Sequence, residues 1–239
     1  MSESLARLYG SPIAGAIGAA LLTDDPAAGQ LLLVRHGQQL SGENRSADER
    51  RDPPLTELGH RQARAAAAHV AAERLAAVYC STMRRACQTA APIAERHGLA
   101  VEPVEGLHEV ELLRGVPAED EVRALLDGPE VSAANELFLQ SRRWDVFPHS
   151  ESSAELRSRV VGAIEGILDR HPGDTVAVVC HGGVINAYLA HLLEIQADMW
   201  FRPAHASVHR LWFAGGRRIV HRLNEAEHLT GAEGSLLST

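Results

Sequence analysis

The chain has 239 residues and a net charge of −8, and its 23 basic residues are all arginine. This length suits one large domain that buries about 70–75% of its unfolded surface. The negative charge disfavours a protein that mainly binds nucleic acid or an anionic membrane. Three cysteines are too few for a disulfide scaffold or a zinc site, so we expect a reduced, cytoplasmic setting.

The N-terminal part of the chain, residues 1–29, is interpreted as an extension that precedes the first sheet element. Its segment Pro12–Leu22 is apolar, but only Arg7 precedes it, against Glu3, and Asp24-Asp25 follow it, which disfavours a signal peptide. No segment of the sequence is long enough to span a bilayer. The next apolar run, Leu31–Val34, is too short for a helix and predicts a buried strand. It ends abruptly in Arg35-His36-Gly37, at the place where open α/β sheets bind their ligands.

The middle of the chain alternates predicted helices and strands. A helix is predicted from Thr56 to about Leu75, and another from Thr82 to His97, where Gly98 stops it. The runs AAVYC (76–80) and LAVEPV (99–104) are predicted strands, and the first is apolar throughout, as strands covered on both faces are.

The second half of the chain begins with residues 114–150, which look like helices inserted between sheet elements and predict a lid over a site. A capping box at Ser152–Glu155 starts the next helix. TVAVVC (175–180) is a further apolar strand, followed by a helix after His181. Strands at 207–213 and 218–223 could pair around two glycines. This alternation predicts a three-layer α/β/α sandwich.

Chemically active side chains recur where these strands end. Besides Arg35 and His36, Arg84 and Arg85 follow the second strand, Glu109 and Glu111 follow the third, and His181 follows TVAVVC. Parallel strands would bring these groups to one sheet edge. Guanidinium groups bind phosphate oxygens, a neutral imidazole can attack phosphorus, and a carboxylic acid can protonate the departing alkoxide. The residues alone do not decide between the two arginines or between the two glutamates as members of the site. Two glutamates that are two residues apart in an extended segment face the same side.

Six motifs together resemble the histidine phosphatase superfamily, also called the phosphoglycerate mutase-like family. The resemblance covers about residues 30–229, which would form the domain, with 230–239 as a C-terminal tail. The motifs are LLLVRHGQ (31–38), PLTELGHRQA (54–63), STMRRACQTA (81–90), LHEVEL (107–112), VVCHGGVI (178–185) and LNEAEHL (223–229). The resemblance selects Arg85 over Arg84 and Glu109 over Glu111.

The resemblance also implies a fold and a set of roles. The fold would be a mixed, mostly parallel six-stranded sheet with one antiparallel strand. His36 would become phosphohistidine, Glu109 would protonate the leaving alcohol, and Arg35, Arg85 and His181, with Gly182, would bind the phosphoryl group. The activity implied is metal-independent hydrolysis of a small phosphorylated substrate, with no cofactor. A homodimer would be compatible with the family, whose C-terminal elements can pair between chains.

Two departures from the family pattern bear on function. Gln38 stands where an acidic residue is common, and Ser41–Asp52 is longer and more charged than usual and lacks the Trp-Asn pair of the mutases. A phosphoglycerate mutase is therefore the alternative to a phosphatase. The third alternative is a phosphate-binding module without catalysis. The presence of all five expected groups argues against it.

The remaining polar side chains are given ordinary structural interpretations. Arg142, Arg143, Trp144 and His149 could line a lid, but solvated helix faces are the favoured interpretation. A strand would hold His205 and His209 about 13 Å apart, too far to share a metal ion, so no metal site is predicted.

Overall fold

The computed structural model describes residues 12–22, 25–41, 52–112, 114–115, 128–231 and 234–238. Its helices are α1 (Pro12–Ala20), α2 (Glu57–His69), α3 (Arg84–His97), α4 (Pro129–Ser141), α5 (Ser153–Leu168) and α6 (Gly182–Leu192). Its strands are β1 (Gly29–Arg35), β2 (Leu75–Ser81), β3 (Val101–Val104), β4 (Thr175–Cys180), β5 (Val208–Ala214), β6 (Arg217–Glu225), β7 (Thr230–Gly231) and β8 (Gly234–Ser235).

The main sheet has six strands in the order β3-β2-β4-β1-β5-β6. Strands β1 to β4 are parallel to one another, β5 is antiparallel to β1, and β6 is antiparallel to β5. The expectation of a mixed sheet with one antiparallel strand is therefore confirmed. The register pairs Val34 with Val179 and Arg35 with Cys180, so β1 and β4 end side by side. This pairing brings His36 and His181 to the same edge.

Two apolar layers cover the sheet, as the continuously apolar strands predict. On one face Leu31 and Leu33 pack with α5 and α6. On the other face Leu32 and Val34 pack with α2 and α3. All four of these side chains are fully buried. The result is the expected three-layer α/β/α sandwich, held in one register because a shift of one residue would exchange the two faces.

Several predicted boundaries are wrong by a few residues. The helix expected to reach Leu75 ends at His69, and a turn then leads into β2 one residue earlier than predicted. Alanine favours helix throughout this stretch, but the pairing of Leu75 with Thr175 of β4 takes precedence. The strand expected from residue 99 begins at Val101, and the pair expected at 207–213 and 218–223 is β5 and β6. The capping box at Ser152 is present in the form predicted.

The insertion between β3 and α5 contains α4 and a short 3₁₀ turn, Trp144–Val146. The predicted lid partly lies outside the described residues, as do residues 1–11 of the N-terminal extension and most of Ser41–Asp52. At the other end of the chain, Leu236 and Ser238 accept hydrogen bonds from Gln62. Among the described residues no helix is long and apolar enough to cross a membrane.

Candidate active site

His36 lies at the centre of a buried cluster of basic side chains where β1 ends. Its ring is 4% exposed, and its Nδ1 lies 2.7 Å from the carbonyl oxygen of Gly37. Because a carbonyl can only accept, Nδ1 carries the proton and Nε2 keeps its lone pair. Gly37 allows this loop to cross α2 closely, since a Cβ at Gly37 would lie 2.6 Å from the carbonyl oxygen of Gly59.

Arg85 approaches His36 from the first turn of α3. Its Nε donates to His36 Nε2 across 3.3 Å, and its side chain is buried, as the resemblance predicts. Thr89, one helical turn later, accepts from the backbone N–H of Gly37 and donates to the carbonyl oxygen of Arg85. Arg84 is exposed. The structure thus brings Arg85, and not Arg84, to the histidine.

Arg35 lies beside His36, and its terminal guanidinium nitrogens are bonded to residues other than His36. One terminal nitrogen donates to the carbonyl oxygen of Pro203, and Nη2 donates to His205 Nε2 at 3.0 Å. His205 Nδ1 lies 3.0 Å from the hydroxyl of Ser238, near the C-terminus. His205 therefore fixes the direction of Arg35, and its ring centroid lies 5.6 Å from that of His36.

His181 is fully buried on the opposite side of His36, with ring centroids 5.1 Å apart. Its Nε2 lies 2.8 Å from the hydroxyl of Ser81, the last residue of β2. The next residue, Gly182, begins α6 and borders the cavity described below. A Cβ at Gly182 would lie 3.8 Å from Arg35 Nε, so this glycine packs directly against the arginine.

Glu109 stands at the N-terminus of α6. Its Oε1 accepts hydrogen bonds from the N–H groups of Gly183 and Val110, each at 3.1 Å. A Cβ at Gly183 would clash with this oxygen, so the glycine is what lets the carboxylate approach. Glu111 faces away and binds Arg114 at 2.8 Å, which lowers the pKa of Glu111. The two glutamates do not face one side, because the backbone of Glu111 is bonded to Glu151 and the segment is not a regular strand.

Burial controls the protonation of this cluster. It holds the pKa of His36 well below the usual histidine value, and the charges of Arg85 and Arg35 act in the same direction. Burial likewise lowers the pKa of His181, with the help of His36 and Arg85, and that of His205 to about 4. Burial also lowers the pKa of Arg35 to about 10, against the opposing charge of Glu109. At neutral pH the three imidazoles are neutral and the arginines are charged.

Three buried nitrogen atoms of the cluster have no hydrogen-bond partner among the described residues. They are Arg35 Nε, Arg85 Nη1 and His181 Nδ1, which belong to the three residues that the resemblance assigns to phosphoryl binding. A buried polar atom without a partner is costly. An anion with several acceptor oxygens, placed beside His36, would satisfy such nitrogens together, and a phosphoryl group is of this kind.

A cavity of about 510 Å³ opens off the cluster, and Arg35 and Glu109 form part of its wall. Its outer wall comes from the 142–144 segment and from residues 199–203. Arg142, which is exposed, and Trp144, which is half-buried, both line it, so the alternative of a lid lining describes these two better than a solvated helix face. Arg143 is exposed and pairs with Asp145, as a solvated residue would.

Asp198 holds the two parts of the outer wall together. It is fully buried, and it accepts hydrogen bonds from the N–H of Trp144 at 2.9 Å, from the hydroxyl of Ser153, and from Arg157 at 3.1 Å. The backbone N–H of Asp198 in turn donates to the carbonyl oxygen of Arg142. One carboxylate thus connects the lid segment, the start of α5 and the segment before β5.

Sequence reasoning did not find His205, Ser81 or Asp198. His205 was weighed as a metal ligand with His209, but His209 is buried in β5, bonded to Ser207 and Asn224. No cluster of three or more potential metal ligands occurs among the described residues. The contacts of His205 and Asp198 join segments far apart in the chain, and no local pattern marks them.

Comparison with known proteins identifies the family and related structures. Residues 31–226 match the model of the histidine phosphatase superfamily (branch 1). The chain is 28% identical to the probable phosphoglycerate mutase GpmB of Yersinia enterocolitica, over 84% of this chain and 94% of that protein. It also resembles the structure of Bacillus stearothermophilus YhfR, with a TM-score of 0.69 and 27% identity over 84% of this chain and 98% of the other. The structure of a mycobacterial glucosyl-3-phosphoglycerate phosphatase is also similar, with a TM-score of 0.66 and 26% identity over 83% of this chain and 99% of the other.

Proposed function

The chain belongs to the histidine phosphatase superfamily, and from this premise we propose that it hydrolyses phosphate monoesters through a phosphohistidine formed on His36. The observation that carries the proposal is that three buried nitrogens, on Arg35, Arg85 and His181, have no hydrogen-bond partner among the described residues and surround the neutral ring of His36. The tautomer leaves the Nε2 lone pair of His36 ready to attack, and burial keeps the ring unprotonated at neutral pH.

In the first step His36 Nε2 forms a bond to phosphorus while the bond from phosphorus to the ester oxygen breaks. The nitrogen donors of Arg35, Arg85 and His181 bind the non-bridging oxygens, where charge is concentrated during transfer. Arg85 Nε, which donates to His36 Nε2 at 3.3 Å, turns its hydrogen bond to the incoming phosphoryl group. Glu109 enters this step as the carboxylic acid, and the departing alkoxide takes its proton.

In the second step Glu109, now a carboxylate, takes a proton from water as the water oxygen attacks phosphorus. The bond from phosphorus to His36 breaks, inorganic phosphate leaves, and the electron pair returns to Nε2. Glu109 suits both roles because two backbone N–H groups fix Oε1, at 3.1 Å each, and hold the carboxyl group in place. No step uses a metal ion or a cofactor.

The test is p-nitrophenyl phosphate turnover in the presence of EDTA, for the wild type and for His36→Ala. We expect turnover that survives EDTA and falls by about 10⁴-fold or more in the variant, because the nucleophile is gone. His221→Ala, at an exposed position of β6, is the matched control and keeps full activity. Full loss of turnover in EDTA, or activity retained by His36→Ala, contradicts the proposal.

A phosphoglycerate mutase is the second candidate, because curated relatives at 28% identity carry the name of probable phosphoglycerate mutases. It shares the first step, but the phosphoryl group then returns to another hydroxyl instead of passing to water. Interconversion of 3-phosphoglycerate and 2-phosphoglycerate, measured beside phosphate release, separates the two. Phosphate release without interconversion supports the phosphatase. Phosphate binding without either reaction would indicate a non-catalytic binding module.

A further inference from the structure

The cavity has cationic side chains beyond the inner cluster. Arg35 and Arg85 lie beside His36, and their charges are offset in part by Glu109 and by Asp52, whose Oδ1 lies 3.8 Å from Arg85 Nη1. Arg142 and Arg202 add two guanidinium groups to the cavity wall farther out. Among the described residues that line the cavity, Glu109 is the sole acid. The outer wall therefore has the charge to bind a second anionic group of the same molecule.

Arg142 is held in its place by its backbone. It has a φ of 53°, in the left-handed region that a non-glycine residue rarely adopts. Its N–H donates to the carbonyl oxygen of Phe138 at 2.7 Å, and its own carbonyl oxygen accepts from Asp198 and Met199 at 2.9 and 3.2 Å. Arg142 is the left-handed residue that ends α4, and these hydrogen bonds fix its backbone beside the segment before β5.

The side chain of Arg142 differs from that of its neighbour. Arg143 donates through Nε to Asp145 at 3.1 Å and is satisfied outside the cavity. Arg142 lines the cavity, and its guanidinium group makes no ion pair with any residue in the described ranges. Two adjacent arginines thus have different surroundings, one paired with an acid and one bordering the space where a ligand fits.

Arg202 adds to the same wall from the segment before β5. It is exposed, and it is close enough to the inner cluster for its charge to lower the pKa of both Arg35 and His205. Unfavourable electrostatic interaction among these cations is relieved when an anion binds between them. A ligand with one anionic group would reduce the repulsion between the cations at the inner end of the cavity alone. A ligand with two anionic groups would reduce it along the whole wall.

Aromatic side chains form a further part of the outer wall. Trp200 and Phe201 lie with ring centroids 4.5 Å apart, and Trp144 is stacked on Phe138 at 4.8 Å. Trp144, Trp200 and Phe201 all line the cavity. Flat rings pack on such faces over a large apolar area. A volume of about 510 Å³ also suits a ring-sized molecule and would be left mostly unfilled by a three-carbon alcohol.

We propose that the substrate of this site is a phosphate monoester of a ring-containing alcohol that carries a second acidic group. The phosphoryl group lies beside His36, the ring packs against Trp144 and Trp200, and the second anion binds Arg142 with Arg202. This inference rests on the phosphatase activity proposed above, and it assigns Arg142 as a specificity-determining residue.

The test uses four primary alkyl phosphates that differ in ring and acid: glycerol 3-phosphate, 3-phosphoglycerate, benzyl phosphate and 4-carboxybenzyl phosphate. Because all four release a primary alkoxide, differences in kcat/KM report binding more than leaving-group chemistry. We expect 4-carboxybenzyl phosphate to have the highest kcat/KM, about tenfold above benzyl phosphate, the usual effect of one charge-assisted hydrogen bond. Benzyl phosphate in turn exceeds glycerol 3-phosphate.

The variant that tests the assignment is Arg142→Gln, and Arg143→Gln is its matched control. Arg142→Gln brings the ratio of kcat/KM between 4-carboxybenzyl and benzyl phosphate to about one, and hydrolysis of benzyl phosphate by the variant shows that it folds. Arg143→Gln leaves the advantage intact. Equal kcat/KM for benzyl and 4-carboxybenzyl phosphate in the wild type, or equal effects of the two variants, overturns the inference.

The pattern of failure identifies which proposal is wrong. If p-nitrophenyl phosphate is hydrolysed and the carboxylate gives no advantage, the proposed phosphatase activity stands and the substrate class is wrong. If 3-phosphoglycerate is the best of the four, the ring is not recognised and the inference is likewise overturned. If none of the esters, including p-nitrophenyl phosphate, is hydrolysed, both proposals fail.

Discussion

The inner cluster and the outer wall of the cavity are built in different ways. The inner cluster stands on the ends of paired strands, since the pairing of Arg35 with Cys180 sets His36 beside His181. The outer wall depends on side-chain contacts, above all those of Asp198 with the Trp144 N–H and with Arg157. The comparison indicates that the sheet positions the groups of the proposed reaction, whereas the groups of the proposed substrate selection lie on segments outside the sheet.

The largest effect should come from the inner cluster. Arg85→Gln removes both the donor to His36 and Nη1, which makes no hydrogen bond within the described residues, so we expect kcat for p-nitrophenyl phosphate to fall about a thousandfold. The control is Arg84→Gln, at the exposed neighbouring position, which should change kcat less than about twofold. Steady-state kinetics on the purified variants decides. Similar losses for the two variants would show that the guanidinium of Arg85 is not part of the site.

Glu109 should show its role through the leaving group. Glu109→Gln is expected to reduce kcat for an alkyl phosphate about a hundredfold, because an alkoxide needs a proton to leave. An aryl phosphate, whose phenolate leaves more easily, should lose less than about tenfold. Glu111→Gln is the matched control, since its carboxylate binds Arg114 outside the cluster. Equal losses on alkyl and aryl esters would contradict the assignment of Glu109 as the acid.

The outer wall should respond to changes that leave the inner cluster intact. Asp198→Asn removes the charge of a fully buried carboxylate that binds Arg157, a half-buried side chain that also donates to backbone carbonyls, so it should cost about 2 kcal/mol of unfolding free energy. We also expect KM for 4-carboxybenzyl phosphate to rise about tenfold, while inhibition by inorganic phosphate changes less than about twofold. Weakened binding of inorganic phosphate by a similar factor would show that the two regions are not separable.

The smallest expected effect concerns the histidines of the inner cluster, whose rings should not change their protonation state near neutral pH. Since burial lowers the pKa of His36 and His181 well below 6.5, their neutral forms persist as the pH falls through that value. In NMR spectra of the ring protons, these two signals should not move between about pH 8 and about pH 6. His205, with a pKa of about 4, should behave in the same way. A midpoint near 6.5 for His36 would contradict the account of its protonation state.

The sequence predicted the inner cluster better than the outer wall for physical reasons. Leu31–Val34 and TVAVVC are apolar enough to identify buried parallel strands, and such strands place their ends together. The choice of Arg85 over Arg84 needed the resemblance, because adjacent residues at a helix start look equivalent until packing buries one of them. The structure brings Arg85 to His36 at 3.3 Å and leaves Arg84 exposed.

The outer wall could not be predicted because its contacts join segments distant in the chain. The hydrogen bond that fixes Trp144 reaches Asp198, 54 residues later, and Arg142 borders the cavity through a backbone conformation that arginine does not favour. From composition, a solvated helix face was the reasonable expectation for residues 142–144, and it is correct for Arg143. His205 was missed similarly, since its hydrogen bonds to Arg35 and Ser238 each join distant parts of the chain.

The central claim is that His36 becomes phosphorylated during turnover. The direct measurement is to mix enzyme and p-nitrophenyl phosphate, quench in denaturant at alkaline pH within milliseconds, digest the protein and map the modified residue by mass spectrometry. The account predicts a phosphorylated peptide containing His36, formed at least as fast as turnover and absent from His36→Ala. A phosphoryl group on another side chain, or turnover with no phosphorylated enzyme at any time, would contradict it.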